Sequence, residues 1–193
     1  MERQVFEWIY VACFILGAIV RGVYTRHRRS NRVTKRGGGV LDTALLSLAS
    51  LGFLLPVVYL ATSWLDFADY GLPWWLGCVG TVVFAVSLWL LWRAHVDLGR
   101  NWSPSPEILE THSLVTEGVY RRIRHPMYAA HMLWGVAQAL LLGNWIAGPA
   151  LIATFVPLYL FRAPREEQML ADHFGGAYRE HMKRTGRLVP RFW

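Results

Sequence analysis

Charge is scarce in this chain: of its 193 residues only 17% are Asp, Glu, Lys or Arg, against about 25% in an ordinary soluble domain. Cysteine is nearly absent. Cys13 and Cys78 are the only two and both sit in apolar runs, which excludes a disulfide scaffold. No Gly-x-Gly-x-x-Gly pattern marks a dinucleotide-type strand-turn-helix, and no Gly-x-Ser-x-Gly elbow marks a serine hydrolase. Low complexity is confined to Gly37-Gly38-Gly39, which precedes an apolar run and reads as a flexible link, not a phosphate loop. What is present is apolar and aromatic: 54% hydrophobic residues, ten tryptophans and a mean hydropathy of +0.26. That much apolar surface excludes a disordered chain. A net charge of +7 invites a nucleic-acid partner, but that needs a soluble basic face. Here basic stretches alternate with long apolar blocks, so no nucleic-acid role is expected and the composition is that of a membrane protein.

Four stretches are almost free of charge: 5–20, 41–65, 73–92 and 127–161. The second and third are long enough to cross a hydrocarbon core of about 30 Å. The first is shorter, with Arg21 at its edge able to snorkel to the interface. The fourth holds no Asp, Glu, Lys or Arg over 35 residues; as one helix it would be about 52 Å long, too long for one crossing. Gly143-Asn144 near its middle predicts a turn, hence a tight hairpin of two short helices, the second bent by Pro149 and Pro157. Two crossings put nineteen of the twenty basic residues on one side, leaving only Arg3. The positive-inside rule then predicts five spans, with the N-terminus outside and the C-terminus cytoplasmic. The fold class expected is an all-α integral membrane protein, with residues 1–92 forming three N-terminal spans and 93–193 a second half carrying the polar chemistry. Nothing in the sequence marks an oligomer interface.

The polar segments 93–126 and 162–193 share the cytoplasmic side. They leave no room for a conventional soluble domain, so a site would form where they meet the membrane helices. Such a place suits a lipid-like substrate from the bilayer and a soluble co-substrate from the cytoplasm. Three clusters stand out. Arg124-His125-Pro126-Met127-Tyr128 opens the hairpin, with proline suited to a first helical turn; Arg and Tyr are equally the residues of an interfacial anchor. Arg162-Ala-Pro-Arg165-Glu166-Glu167 follows the hairpin, and its acids suit either a helix start or a grip on a cation. Arg162 and Glu166 share a face if the helix survives Pro164. Thr185-Gly186-Arg187-Leu188-Val189-Pro190 has the turn residues to fold back onto the membrane face, with Arg187 pairing an acid or a phosphate. Phe174, Tyr178 and Met182 follow helical spacing and read as packing. His125 and His131, like His173 and His181, lack the three- or four-residue spacing of paired helical ligands, so no metal is expected.

The order Leu114-Val115-x-x-Gly118-Val119-Tyr120-x-x-x-Arg124-His125-Pro126-x-Tyr128, then a charge-free hairpin, then Glu166-Glu167, resembles the isoprenylcysteine carboxyl methyltransferase family. The resemblance continues through Phe174-Gly175-x-x-Tyr178 and Gly186-Arg187-x-x-Pro190 and covers roughly 93–193, extending more loosely to a five-span, prokaryotic-type member. It implies S-adenosylmethionine as methyl donor in a non-Rossmann pocket, leaving S-adenosylhomocysteine. It also implies a prenylated or lipid-like acceptor entering from the membrane. By the same resemblance Val115, Gly118, Tyr120, His125, Pro126 and Tyr128 would surround the donor, Glu166 and Glu167 would hold its polar end, and Arg124 with Glu167 would be the catalytic candidates. Arg124 would sit near the acceptor carboxylate. Asn101-Trp102 resembles a further short family segment. Other readings remain open on residues alone. A phosphatidylethanolamine-type N-methyltransferase would share the donor signature but need a base. A sterol-reductase-like enzyme would need a nicotinamide cofactor, and a non-enzymatic scaffold or small transporter would bind lipid through its basic loops. Trp64, Trp74, Trp75, Trp89 and Trp92 read as interfacial belts or as walls of a lipid pocket.

Overall fold

The computed structural model describes residues 2–27, 33–36, 39–101, 107–109 and 113–191. Trp102, His112 and the Gly37-Gly38 part of the glycine triplet lie outside them. Three long apolar helices come first: α1 (Glu2–His27), α2 (Val40–Ala61) and α3 (Trp74–Leu98). With 26, 22 and 25 residues they run about 33–39 Å at 1.5 Å per residue, enough to cross a membrane. Their outward faces stay apolar and uncovered, as with Val5, Ile15, Leu16 and Ile19 on α1, Leu51, Leu54 and Val57 on α2, and Val79, Val82 and Val86 on α3. So much bare aliphatic surface is suited to lipid, not water.

The charge-free stretch folds as α4 (Pro126–Leu141) and α5 (Ala150–Phe174), joined by a turn over 142–149. Asn144 builds that turn. Its Oδ1 accepts from the backbone N–H of Ile146 (3.0 Å) and Ala147 (2.9 Å), while Nδ2 donates to Leu65 O (2.7 Å) and Asp69 Oδ1 (2.9 Å). The α2–α3 connection and the hairpin turn therefore share one end of the bundle, where Arg3 also pairs with Asp69 at 2.7 Å. The hairpin differs from expectation in one respect. Only α4 is short; α5 runs 25 residues through Pro157 and Pro164, with Pro149 as its N-cap. The packing of α5 on α2 and the anchoring of Arg162 described below outweigh the hydrogen bonds each proline removes. A short helix α6 (Gly176–Arg184) follows. The fold is helical as expected, with one short addition in the connections: β1 (Val33–Arg36) pairs antiparallel with β2 (Glu107–Leu109).

Glycines let the helices approach closely, Gly52 against Leu151 and Gly135 against Ile152, the usual device of helix contacts in membranes. Trp134 sits at the centre among Phe14, Phe53 and Phe84. Two buried polar groups are satisfied across helices. Gln138 accepts from the Tyr10 hydroxyl (2.8 Å) and donates to Ala147 O (2.7 Å), and Ser87 donates to Ala130 O (2.8 Å).

Candidate active site

At the end opposite Asn144, a cavity of about 470 Å³ opens between the helices. One side is apolar: Phe14, Leu46, Phe53 and Phe155 reach it from α1, α2 and α5. The other side is polar, with Asn101, Tyr120, Arg124, His125, Tyr128 and Glu166. Three different segments converge to make that polar wall.

The first is the approach to α4. Gly118 opens a 3₁₀ turn (Gly118–Arg121) at φ +58°, a left-handed conformation that costs any other residue about 1–2 kcal/mol. A Cβ there would also run into the Asp97 carboxylate. Asp97 closes the turn by accepting from the Val119 N–H (2.9 Å), and Arg93, one helical turn earlier on α3, donates to it (2.5 Å). Tyr120 is thereby buried against α3, its hydroxyl 3.4 Å from Ala94 O. Pro126 takes the first position of α4, where its missing N–H costs nothing.

The second segment is the C-terminus, which folds back as its turn residues suggest. Arg124 N–H donates to Gly186 O (2.8 Å), His125 N–H to Arg187 O (3.0 Å), and Gly186 N–H to Arg122 O (3.0 Å). A Cβ on Gly186 would run into the Val189 carbonyl oxygen, so the return needs glycine.

The third is the C-terminal half of α5, where the adjacent acids part company. Successive helical residues point about 100° apart. Glu167 turns away from the cavity into a nest of donors. Arg124 Nε donates to Oε1 (2.9 Å), Arg187 Nη2 to Oε2 (2.7 Å) and Nε to Oε1 (3.2 Å), and His125 Nε2 lies 3.3 Å from Oε1. Burial alone would raise this carboxyl, but hydrogen bonds from His125, Arg187 and Arg124 outweigh it and hold Glu167 well below the usual carboxylate range. Glu166 faces the cavity, accepting from the Tyr128 hydroxyl (2.7 Å), with His125 Nδ1 3.7 Å away. Burial pushes this carboxyl upward against the opposing pull of His125, Tyr128 and Arg162.

Arg124 is largely committed. Besides Glu167, its Nη1 donates to the carbonyl oxygens of Met182 (2.9 Å) and Thr185, leaving Nη2 without a protein partner among the described residues. Of the residues expected at the site, Tyr120, Arg124, His125, Pro126, Tyr128 and Glu166 line the cavity. Val115, Gly118 and Glu167 are not among the residues that line it. Sequence reasoning missed Asp97 and Asp42. Asp42 is buried at the start of α2 and forks onto Arg162, Nε to Oδ1 at 2.5 Å and Nη2 to Oδ2 at 2.7 Å. A lone acid in an apolar run was the only signal for it. Among the described residues, no three His, Cys, Asp or Glu side chains converge as a metal site.

Comparison with known proteins places this geometry in context. Residues 78–172 match the isoprenylcysteine carboxyl methyltransferase (ICMT) family. The chain is 30% identical over 143 residues to protein-S-isoprenylcysteine O-methyltransferase B of Arabidopsis thaliana, covering 73% of each. It is 30% identical over 138 residues to the human protein-S-isoprenylcysteine O-methyltransferase, covering 67% of this chain and 49% of the human one. Among solved structures it resembles the eukaryotic intramembrane Ras methyltransferase ICMT, with a TM-score of 0.52, 24% identity, and coverage of 80% of this chain and 53% of that one. The chain thus spans about half the length of the human enzyme and of the solved protein.

Proposed function

The chain belongs to the isoprenylcysteine carboxyl methyltransferase family, and we propose that it is an S-adenosylmethionine-dependent enzyme that methylates the carboxylate of a prenylated cysteine at the cytoplasmic membrane face. The observation that carries this is the two-sided cavity. Its apolar lining comes mainly from Phe14, Leu46 and Phe53 on the membrane helices of residues 1–92 with Phe155 of α5, and most of its polar lining comes from residues 93–193. A long apolar acceptor with one acidic end and a polar, cationic donor match those two surfaces.

The residues fit the donor. The cavity volume lies within the roughly 300–1,000 Å³ typical of small-molecule sites. Glu166, whose ionised form burial disfavours, gains from a cationic ligand beside it. Tyr128 and His125 hold the Glu166 carboxylate, while Pro126 and Tyr120 shape the neighbouring surface and the Gly118 turn leads the chain into Tyr120. When bound, S-adenosylmethionine supplies a methyl group on a cationic sulfur to an acceptor oxygen. An acceptor carboxylate with a pKa near 4 is already ionised at neutral pH, so no residue of this chain must remove a proton. The chain's work is orientation and exclusion of water. Glu167 fixes Arg124 and His125, and Arg124 presents its remaining nitrogen to the reacting end without a bidentate grip that would blunt the nucleophile.

The five-helix arrangement supports five spans. α1 to α5 alternate in direction, and Arg21, Arg124 and Arg162 gather at the end that charge counting assigns to the cytoplasm. The test is transfer of labelled methyl from S-adenosylmethionine by detergent-purified protein to an S-prenylated cysteine and, separately, to phosphatidylethanolamine. Base-labile label on the prenylcysteine alone, as expected for an ester, supports the reading. Base-stable label on the phospholipid would overturn it.

A further inference from the structure

Three arginines line the cavity: Arg21, Arg124 and Arg162. Two have carboxylate partners within the protein, Arg124 in Glu167 and Arg162 in Asp42. The remaining cavity acid, Glu166, is engaged by Tyr128. Arg21 pairs with no carboxylate among the described residues. Its polar contact is His131, with Nη1 3.5 Å from the ring Nε2, at the long end of hydrogen bonding.

That histidine is built to receive it. His131 Nδ1 lies 2.7 Å from the Met127 carbonyl oxygen, so Nδ1 carries the proton and Nε2 turns a lone pair toward Arg21. The ring is buried and stacked on Phe155 with centroids 4.9 Å apart, which fixes its direction. The Arg21 guanidinium is therefore drawn toward the cavity from a membrane helix. Arg21 is exposed and lines the cavity with no carboxylate partner among the described residues, so its charge is open to an anion that enters there. Along α1, Phe14, Gly17, Ala18 and Arg21 all line the cavity at helical spacing. They form one stripe about 10 Å long, from an aromatic ring past two small residues to a cation.

We propose that Arg21, held by His131, binds the carboxylate of the acceptor while the stripe running back to Phe14 receives the start of its hydrocarbon chain. This rests on the reading that the acceptor is a prenylated cysteine acid, and it names the residue that selects the acid. Arg21 on α1 and the Arg124 nitrogen in the approach to α4 then reach the carboxylate as separate single contacts. Arg21 contacts the acceptor carboxylate in the ground state and in the methyl-transfer transition state alike, so its ion pair is uniform binding. Its loss belongs in KM, not kcat.

The experiment measures initial rates and calorimetric binding in a phosphate-free nonionic detergent, with an N-acetyl S-prenylated cysteine as acceptor and its carboxamide as neutral analogue. Arg21→Gln is expected to raise the acceptor KM about tenfold or more. It should leave kcat and S-adenosylhomocysteine affinity within about twofold and abolish the wild-type preference for carboxylate over carboxamide. Arg21→Lys should restore part of that preference. An unchanged KM overturns the proposal. So does equal weakening of acid and amide, which would assign Arg21 to lipid headgroups or to the scaffold, and so does loss of S-adenosylhomocysteine binding in both variants. Acceptor binding reads Arg21 even without turnover: wild-type protein that binds the acid but transfers no methyl group overturns the functional reading alone.

Discussion

Glu167→Gln is the perturbation on which the site's architecture turns. Glu167 is 5% exposed and joins three donors from two segments: Arg124 and His125 before α4, and Arg187 in the C-terminal return. Arg187 is 49% exposed, so its share is that of a surface pair, about 0–1 kcal/mol. Arg124 is 10% exposed, and breaking a buried pair by removing one partner costs about 3–5 kcal/mol. The substitution should therefore release the C-terminal return far more than Arg187→Gln does. Opening of a clasped segment is read by proteolysis, whose rate follows the open population when closing is fast. At about 1.4 kcal/mol per tenfold, cleavage within 185–191 should accelerate roughly a hundredfold to a few thousandfold in Glu167→Gln, and less than about tenfold in Arg187→Gln. The pH dependence has a definite sign. Glu167 titrates below its unfolded value of about 4.3, so its stabilisation is complete above that value and is lost only as pH falls through the lower folded one. Wild-type cleavage should stay flat from about pH 5 to 8. Equal cleavage of the two variants, or a wild-type clasp that loosens between those pH values, would refute the reasoning.

Other outcomes follow from the same contacts. Asp42→Asn removes the carboxylate that forks onto the buried Arg162 guanidinium and should lower stability by about 3–5 kcal/mol, with most of it recovered in Asp42→Leu/Arg162→Met; thermal unfolding of the three proteins checks this. Glu166 is raised by burial, so below its folded pKa it is protonated and a cationic donor loses its partner. Binding of S-adenosylmethionine should strengthen as pH rises through that raised pKa and should release protons, measurable by calorimetry in buffers of different ionisation enthalpy. Gly118→Ala forces a side chain into φ +58° against Asp97 and should weaken S-adenosylhomocysteine binding by about tenfold, from a strain of about 1–2 kcal/mol; unchanged affinity would separate the Gly118 turn from the pocket.

Much of the arrangement was legible because membrane physics leaves few choices. The absence of charge over 127–161 required a hairpin, and charge counting placed Arg124, Glu166 and Arg187 at one end before any contact was visible. Gly186 and Pro190 announced the C-terminal return for the same reason that turns elsewhere need them. What stayed hidden depends on rotation and distance. Glu166 and Glu167 are identical in type and adjacent, and only the phase of α5 sends one to the cavity and the other to the arginine cluster. Asp42 finds Arg162 across 120 positions, with nothing local to link them. Pro157 argued for a bend in α5 and Pro164 put its continuity in question, yet the helix persists through both because its neighbours hold it. Arg21 read as an anchor snorkelling to the interface. Its turn toward His131 depends on a ring fixed by Phe155, a contact that no spacing encodes.

The central claim is that Glu166, Tyr128 and His125 form one wall of a donor pocket. Calorimetric titration of S-adenosylhomocysteine into detergent-purified wild type, His125→Ala and Glu166→Gln tests it most directly. The account requires saturable micromolar-range binding by the wild type, weakened about tenfold or more in each variant, since each loses a charge-assisted contact. Folded wild-type protein that binds no S-adenosylhomocysteine, or variants that bind it as well as the wild type, would contradict it.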